Sequence, residues 1–395
     1  MRSFPRLHRC VFIILLVLSA RPASLHAQAD KNKEPDTLVL SNGDELHGKL
    51  VQEAGGTLTF HSDPLGDLTL DWDKVKEIHT SQKFAVMTPD MKKHNKRAAL
   101  NLPKGTIDVA NGLVTLHPDS GATVAPIPIK NAQVIVDAPL LEKQLDHGPG
   151  FRQGWNGAAT AGATLVSATQ NSYQVSGSVG LVRTIPTVAW LDPKNRTSFD
   201  FAESYGKITQ PAYTSGGVFT PASTTKSSIL HFDAERDEYV SSKIFALGQT
   251  SFDHNYSQDL DLQQIYGGGL GWTFLKTPKQ EADLKATMQY EKQQFISGSS
   301  ANQDLIGSTF SANYLLKLKL VTYAQSLAFI PAYNNTRAYS ATETDTFAFP
   351  AYKNFAFSVG TLDSYLNDPP VTAPPTKRNS FQFTMGLTYA FKSKY

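Results

Sequence analysis

Few residues in this chain are of types that could do chemistry, and their spacing decides what each can do. A serine hydroxyl activated by histidine needs both side chains on one face, most simply two residues apart on a strand, so that the imidazole can take the proton. Ser228 and His231, and Ser251 and His254, are each three apart and fall on opposite faces of a strand. A hydrolase would have to draw its second group from a neighbouring strand. His61 and His117 occupy matching places in two similar stretches, each alone on its strand end and without cysteine nearby, so shared turn geometry is a simpler reading than a metal site. Asn42-Gly43-Asp44 looks like part of a calcium loop but lacks further carboxylates, and reads as a hairpin turn. Gly267-Gly268-Gly269-Leu270-Gly271 is flanked by Tyr266, Trp272 and Phe274 in strand phase, with no helix start and no following Lys-Ser/Thr. Its glycines relieve crowding inside a sheet rather than cradle a phosphate. No catalytic, cofactor or metal residue is assigned.

The charges that share a face are more informative. By parity Asp233 and Glu235 fall on one side of their strand, and Asp283, Lys285, Thr287, Gln289 and Glu291 on one side of theirs. If these strands wall a barrel, Asp233, Glu235, Asp283, Lys285 and Glu291 line its lumen. Charges of both signs then either cross-pair as a structural plug or border a narrow path for small polar solutes or ions. No single sign dominates as a selectivity ring requires, which favours the plug.

The elements that must position these groups are long alternating strands. The last of them, 379–391, puts Phe381, Phe383, Met385, Leu387, Tyr389 and Phe391 on one face and Gln382, Thr384, Gly386, Thr388 and Ala390 on the other. Lipid on one side of every strand demands this pattern of a transmembrane barrel. Thr384, Gly386, Tyr389 and Phe391 also have the spacing of the C-terminal assembly signal of bacterial outer-membrane proteins. Further segments of this kind begin at Trp155 and Tyr173 and continue at 195–209, 225–238, 240–254, 259–276, 280–296, 302–316, 318–333, 337–349, 353–366 and 378–391. Together they predict an antiparallel barrel of about twelve strands over 154–391, an even number as a single-chain bacterial barrel has. Long polar connections at 210–224 and 367–377 fall on one side, and tight ones near Glu238, Pro278, Lys317 and Pro350 on the other. Arg183 and Glu203 point to lipid by this parity, so a snorkelling arginine and a bulge or phase shift at Glu203 are expected.

Upstream, Arg2, Arg6 and Arg9 precede an apolar run from Cys10 to Leu18, with Ala27-Gln28-Ala29 following, which predicts a removed export signal over 1–29. The run is too short for a spanning helix, and Cys10, the only cysteine, supports neither a disulfide framework nor a lipid anchor. Net charge is +2 with lysine and arginine scattered, so nothing points to nucleic acid. Lys92-Lys93-His94-Asn95-Lys96-Arg97 is the one basic cluster and reads as a solvated loop. Short strands with tight turns fill 36–137. Gly56-Thr57-Leu58-Thr59-Phe60-His61-Ser62-Asp63 matches Gly112-Leu113-Val114-Thr115-Leu116-His117-Pro118-Asp119, and Lys74-Val75-Lys76-Glu77-Ile78 can be set against Asn131-Ala132-Gln133-Val134-Ile135. Tandem SH3- or Sm-like modules are therefore expected at 36–80 and 83–137, in the periplasm, with a linker at 138–153.

These residues resemble the YdiY-like outer-membrane proteins, a domain of unknown function labelled as a salt-induced outer membrane protein. The resemblance rests on Leu38-Val39-Leu40-Ser41-Asn42-Gly43-Asp44 with Gly48-Lys49, on Gly66-Asp67-Leu68-Thr69-Leu70-Asp71-Trp72, on Asp259-Leu260-Asp261-Leu262 leading to Gly267–Trp272, and on Asp363-Ser364-Tyr365-Leu366-Asn367-Asp368-Pro369-Pro370. It implies an outer-membrane barrel and no established activity. The expectation is a non-enzymatic protein of structural or envelope-adaptation role; a narrow channel is the alternative and an outer-membrane hydrolase the second. Expected partners are outer-membrane lipids and, through the last strand, the barrel-assembly machinery.

Overall fold

The computed structural model describes residues 34–88, 101–121, 123–146, 148–167, 171–188, 190–215, 218–277, 279–297, 302–369 and 378–393. The expected export signal, the basic cluster at 92–97 and residues 370–377 of the last long loop lie outside them.

Among the described residues, ten short strands build the amino-terminal unit: β1 (Asp36–Leu40), β2 (Glu45–Ala54), β3 (Thr57–Ser62), β4 (Gly66–Asp71), β5 (Val75–His79), β6 (Phe84–Met87), β7 (Lys104–Ala110), β8 (Leu113–Pro118), β9 (Ile127–Pro128) and β10 (Val134–Asp137). The repeat is real, but the two expected modules are not separate small barrels. Pairing runs β1-β5-β7-β6-β10-β2 and back to β1, a single closed six-stranded barrel made from both halves, with β3-β4 and β8-β9 hung on its sides. The cause lies in strand lengths. On one edge of β2, β1 covers only Glu45–Gly48, so Gln52–Ala54 are left for β10 of the other half. Reciprocally, β6 covers Lys104 and Gly105 of β7, and β5 takes Asp108 and Val109. Each half thus fills an edge that would otherwise leave backbone groups unpaired. The two halves match in detail. The turns before β3 and β8 both use positive φ, at Gly55 and Gly56 and at Asn111 and Gly112. Trp72 N–H donates to Gly56 O at 2.9 Å, as Ile129 N–H does to Gly112 O at 3.0 Å. Leu38, Leu50, Phe60, Ile78, Phe84, Ile107 and Ile135, all fully buried, form the shared core.

The segment expected as a linker opens with helix α1 (Ala138–Asp146). The membrane barrel follows: β11 (Trp155–Ser167), β12 (Asn171–Ile185), β13 (Asn195–Gln210), a small outer hairpin β14 (Tyr213–Ser215) and β15 (Val218–Thr220), then β16 (Ser223–Tyr239), β17 (Ile244–Asn255), β18 (Leu260–Lys276), β19 (Gln280–Phe295), β20 (Gln303–Lys317), β21 (Thr322–Pro331), β22 (Tyr339–Tyr352), β23 (Phe355–Leu366) and β24 (Asn379–Phe391). Twelve of these close a continuous antiparallel ring, β24 pairing back on β11. That seam runs only from Gly157–Phe391 to Ala161–Leu387, whereas β11 is paired with β12 from Trp155–Arg183 to Ser167–Asn171. Outward side chains such as Leu270, Phe381 and Leu387 stand more than 60% exposed, as lipid-facing groups do.

The two misfits resolve differently. Glu203 lies in uninterrupted register with Gly177 of β12 and Leu230 of β16, so the expected bulge or phase shift is absent there. Its neighbours Phe199, Phe201 and Tyr205 lock the outward phase and carry Glu203 with them. Arg183 does not snorkel. Its guanidinium turns to the chain ahead of β11, donating to the carbonyls of Gln153 at 2.9 Å, Pro149 at 2.7 Å and Gly150 at 3.2 Å. Nearby, the turn between β12 and β13 inserts Trp190 and Leu191 against Ala85, Met87, Val134, Val136 and Leu141, and Trp190 Nε1 donates to Gln52 Oε1 at 3.1 Å. The amino-terminal barrel is therefore docked on the membrane barrel through that turn.

Candidate functional site

Strand alternation delivers a charged layer to the lumen at the tight-turn end of the barrel. Arg196 enters from the start of β13, Asp237 from the end of β16, and Glu281 and Asp283 from the start of β19. The guanidinium fork suits several carboxylates at once. Its Nε donates to Asp237 Oδ2 at 2.7 Å and Nη1 to Glu281 Oε1 at 3.0 Å, and Nη2 lies 2.8 Å from Asp283 Oδ2. Thr273 Oγ1 donates to Asp283 Oδ1 at 2.6 Å, and the fully buried ring of Phe245 lies 5.2 Å from the guanidinium carbon. One layer deeper, Lys285 Nζ donates to both oxygens of Glu235 at 2.5 and 2.7 Å. The glycine run of β18 makes room for this packing: a Cβ at Gly271 would meet the Phe245 ring at 2.2 Å.

In the middle of the lumen, Asp200 faces Asp233 across the β13–β16 ladder. Asp253 Oδ1 lies 2.5 Å from His231 Nδ1, while Asp253 Oδ2 accepts from Ser251 Oγ at 3.0 Å. Here the carboxylate sits between hydroxyl and imidazole, so the serine proton is directed to the acid and not to the ring, the reverse of a nucleophilic relay. His254 lies on the outer face, its Nδ1 2.7 Å from the Asp261 carbonyl. Glu291 accepts from Gln263 Nε2 at 2.5 Å and Gln293 Nε2 at 2.6 Å.

The opposite end is bridged as well. The turn Tyr256–Gln258 between β17 and β18 sends Gln258 to strands beyond β20, β21 and β22 along the wall, where its Nε2 donates to the carbonyls of Ser364 at 3.0 Å and Arg378 at 3.1 Å. Beneath it Leu260, Phe295 and Leu366, each no more than 6% exposed, form an apolar cluster between β18–β19 and β23.

Of the side chains singled out in the sequence, Glu235 and Lys285 meet each other, Asp283 joins the arginine cluster, and Asp233 and Glu291 lie in separate layers. Arg196, Asp237, Phe245 and Gln258 were not singled out. Arg196 had a readable signal, since it shares the lumenal phase of Asp200; the bridge made by Gln258 has none, because it joins segments far apart in sequence. In β24, Tyr389 pairs with outward Phe355, whereas Gly386 approaches β11 so closely that a Cβ would lie 2.3 Å from the Ala161 carbonyl. In the amino-terminal barrel, His61 Nδ1 lies 2.6 Å from Asp67 Oδ1, and Asp108 bridges His79 and His117 at 2.9 Å each.

A second polar group lies on the outer wall. Register with Phe381 and Phe383 puts Asp363, Glu343 and Asp345 outward. Gln325 Nε2 donates to Glu343 at 3.1 Å and Tyr323 to Asp345 at 2.6 Å, while the buried Asp363 Oδ1 has no partner among the described residues. Glu343 and Asp363 line an apolar groove of about 840 Å³ together with Trp272, Leu284, Phe310 and Leu327. Carboxylates on a lipid-facing wall are unfavourable against acyl chains. Replacing both with leucine is expected to raise the barrel's unfolding free energy in phosphatidylcholine vesicles by about 1–2 kcal/mol. Urea titration followed by tryptophan emission measures this; an unchanged or lower value would mean that acyl chains do not cover this wall.

The model of the family described as "Protein of unknown function, DUF481" matches residues 159–391. No curated protein matches the chain. Among solved structures, the chain is similar to the NanC porin (8% identity, TM-score 0.34, covering 59% of this chain and 98% of the other). It is also similar to an outer membrane channel from Pseudomonas putida F1 (12%, TM-score 0.34, 62% and 98%) and to a Pseudomonas aeruginosa FadL homologue (9%, TM-score 0.23, 91% and 85%). At these scores the likeness adds nothing to the barrel already defined by its strand pairing.

Proposed function

The chain belongs to the DUF481 family of unknown function, and from that premise we propose a bacterial outer-membrane barrel whose role is structural, in the architecture or adaptation of the envelope, and not enzymatic. One observation carries this reading: side chains of the wall bridge the lumen at both ends, through Arg196 with its three carboxylates at one and through Gln258 with the Leu260–Phe295–Leu366 cluster at the other. Such bridges brace a wall and obstruct passage. The outward apolar belt and the closed ring support the outer-membrane location, because only a closed barrel satisfies a sheet's backbone in lipid. Affinity to the YdiY-like salt-induced proteins, removal of 1–29 on export, a periplasmic amino-terminal barrel, contact with outer-membrane lipid and delivery of β24 to the assembly machinery belong to the same proposal.

Purified protein in planar bilayers is expected to be electrically silent and to release no fatty acid from the surrounding lipid. A narrow channel is the second reading. It draws on the carboxylates Asp200, Asp233, Asp253 and Glu291, which with the acids at the tight-turn end outnumber Arg196 and Lys285 in the lumen. Steady cation-selective conductance, weakened on neutralising Asp233 and Glu291, would replace the structural reading by the channel, and lipid hydrolysis would replace it by an enzyme.

A further inference from the structure

Glu53 stands in an apolar core where its counterpart in the other half of the amino-terminal barrel is a valine. It pairs with Ile135 across β2–β10 as Val109 pairs with Ile78 across β7–β5, and it is 1% exposed. Trp72, likewise, takes the place that Ile129 holds in the second half. The first half therefore carries an acid and an indole where the second carries two aliphatic groups, and the fold does not need the polar pair. Glu53 Oε1 accepts from Gly56 N–H at 3.0 Å, but Glu53 Oε2 and Trp72 Nε1 are buried without a partner among the described residues.

Among the described residues no charge faces this carboxyl. On its two flanks Glu53 is paired with Leu58 from β3 and Ile135 from β10, both members of the apolar core that also holds Trp72. Beyond them lie Leu38 from β1, Val75 and Ile78 from β5, Phe84 and Val86 from β6, Ile107 and Val109 from β7, and Val114 and Leu116 from β8. The other fully buried carboxylate among the domain's described residues, Asp36, already accepts from the N–H groups of Leu50 and Ser81 at 2.8 Å each. Burial accordingly pushes the Glu53 carboxyl up from 4.5 to about 7, with the Gly56 N–H opposing the shift.

The residues on either side of Glu53 face the other way. Gln52 accepts from Trp190 of the membrane barrel, and Ala54 packs in the cluster that holds Trp190 and Leu191. The ladder that seals β2 to β10 here runs only from Val134–Ala54 to Val136–Gln52. We propose that Glu53 is a proton-operated switch on the docking of the two barrels: neutral, it lets β2 and β10 hold the Trp190 turn; ionised, it parts the short ladder to reach water and loosens that hold. The sign follows from linkage. The folded domain keeps a proton that the unfolded chain gives up, so stability from this group is complete below about 4.5 and is lost as pH rises to about 7.

The test uses the full chain in lipid nanodiscs, with Cys10→Ser and spin labels at Lys130→Cys on one barrel and Lys279→Cys on the other. Pulsed dipolar spectroscopy should give one narrow distance at about pH 5.5 and a broad distribution at about pH 8.5, the midpoint lying near neutrality. E53Q should stay narrow at both, and W190A, broad at both, marks the undocked state. Wild type that stays narrow at high pH while W190A is broad would overturn the switch, as would an E53Q protein that still broadens with pH.

Discussion

Replacing Arg196 with alanine is expected to destabilise the membrane barrel by about 3–5 kcal/mol, the range for removing one partner from a buried ion pair. The guanidinium is the cation on which Asp237, Glu281 and Asp283 converge. Asp237 and Asp283 are almost wholly buried, so water cannot take its place without opening the wall. The effect should appear as a lower urea midpoint in vesicles and a lower temperature at which the compact gel species gives way to the extended one. R196K should fall between, keeping the charge but losing the fork that reaches three carboxylates on two other strands. A paired change, Arg196→Met with Asp237→Leu, should recover part of the loss, because it removes one of the two buried carboxylates that the single change strands and leaves Asp283 in place. An R196A barrel as stable as wild type would show that this cluster is not what holds the lumen.

The G271A variant is expected to lose about 3 kcal/mol, at the upper end for an inserted methyl in a packed interior, and to fold into vesicles in reduced yield. The nearest obstacle is one side chain: a Cβ there would sit 2.2 Å from the Phe245 ring, whose centroid lies 5.2 Å from the Arg196 guanidinium carbon. F245A alone should also be destabilising, by about 3–5 kcal/mol for the lost aromatic. In an F245A background, however, Gly271→Ala should add almost nothing, since the space is then free. The coupling energy from that cycle measures the contact directly, and additive losses would refute it.

How much of this was legible depended on the range of the forces involved. Alternation along a strand is local, so the outward face of 379–391 and the lumenal side of Asp283, Lys285 and Glu291 could be read residue by residue. The duplicated turns at Gly56 and Gly112 were legible for the same reason. Which edges those copies pair is a question of strand length: β1 is too short to cover β2, and the sequence contains no signal that the gap is filled by β10 and not by water. Arg183 misled because parity assigns a direction at Cβ, whereas a long side chain at a strand end goes where carbonyls are, here Pro149, Gly150 and Gln153. The bridge from Gln258 to Ser364 and Arg378 depends on the two walls standing within side-chain reach, a property of the closed ring that no single strand carries.

The seam between β11 and β24 has a mechanical consequence. These two strands hold the barrel's own chain ends, and the ends lie side by side, Gly154 N–H donating to Ser393 Oγ at 3.0 Å and Ser393 N–H to Asn156 Oδ1 at 2.9 Å. A force pulling the ends apart acts across the ladder, not along it, and opens its hydrogen bonds one after another instead of shearing them together. The ladder it must open is the short one, from Gly157–Phe391 to Ala161–Leu387. Drawn from its ends, the cylinder unzips at this joint first and at low force, while its remaining walls stay whole.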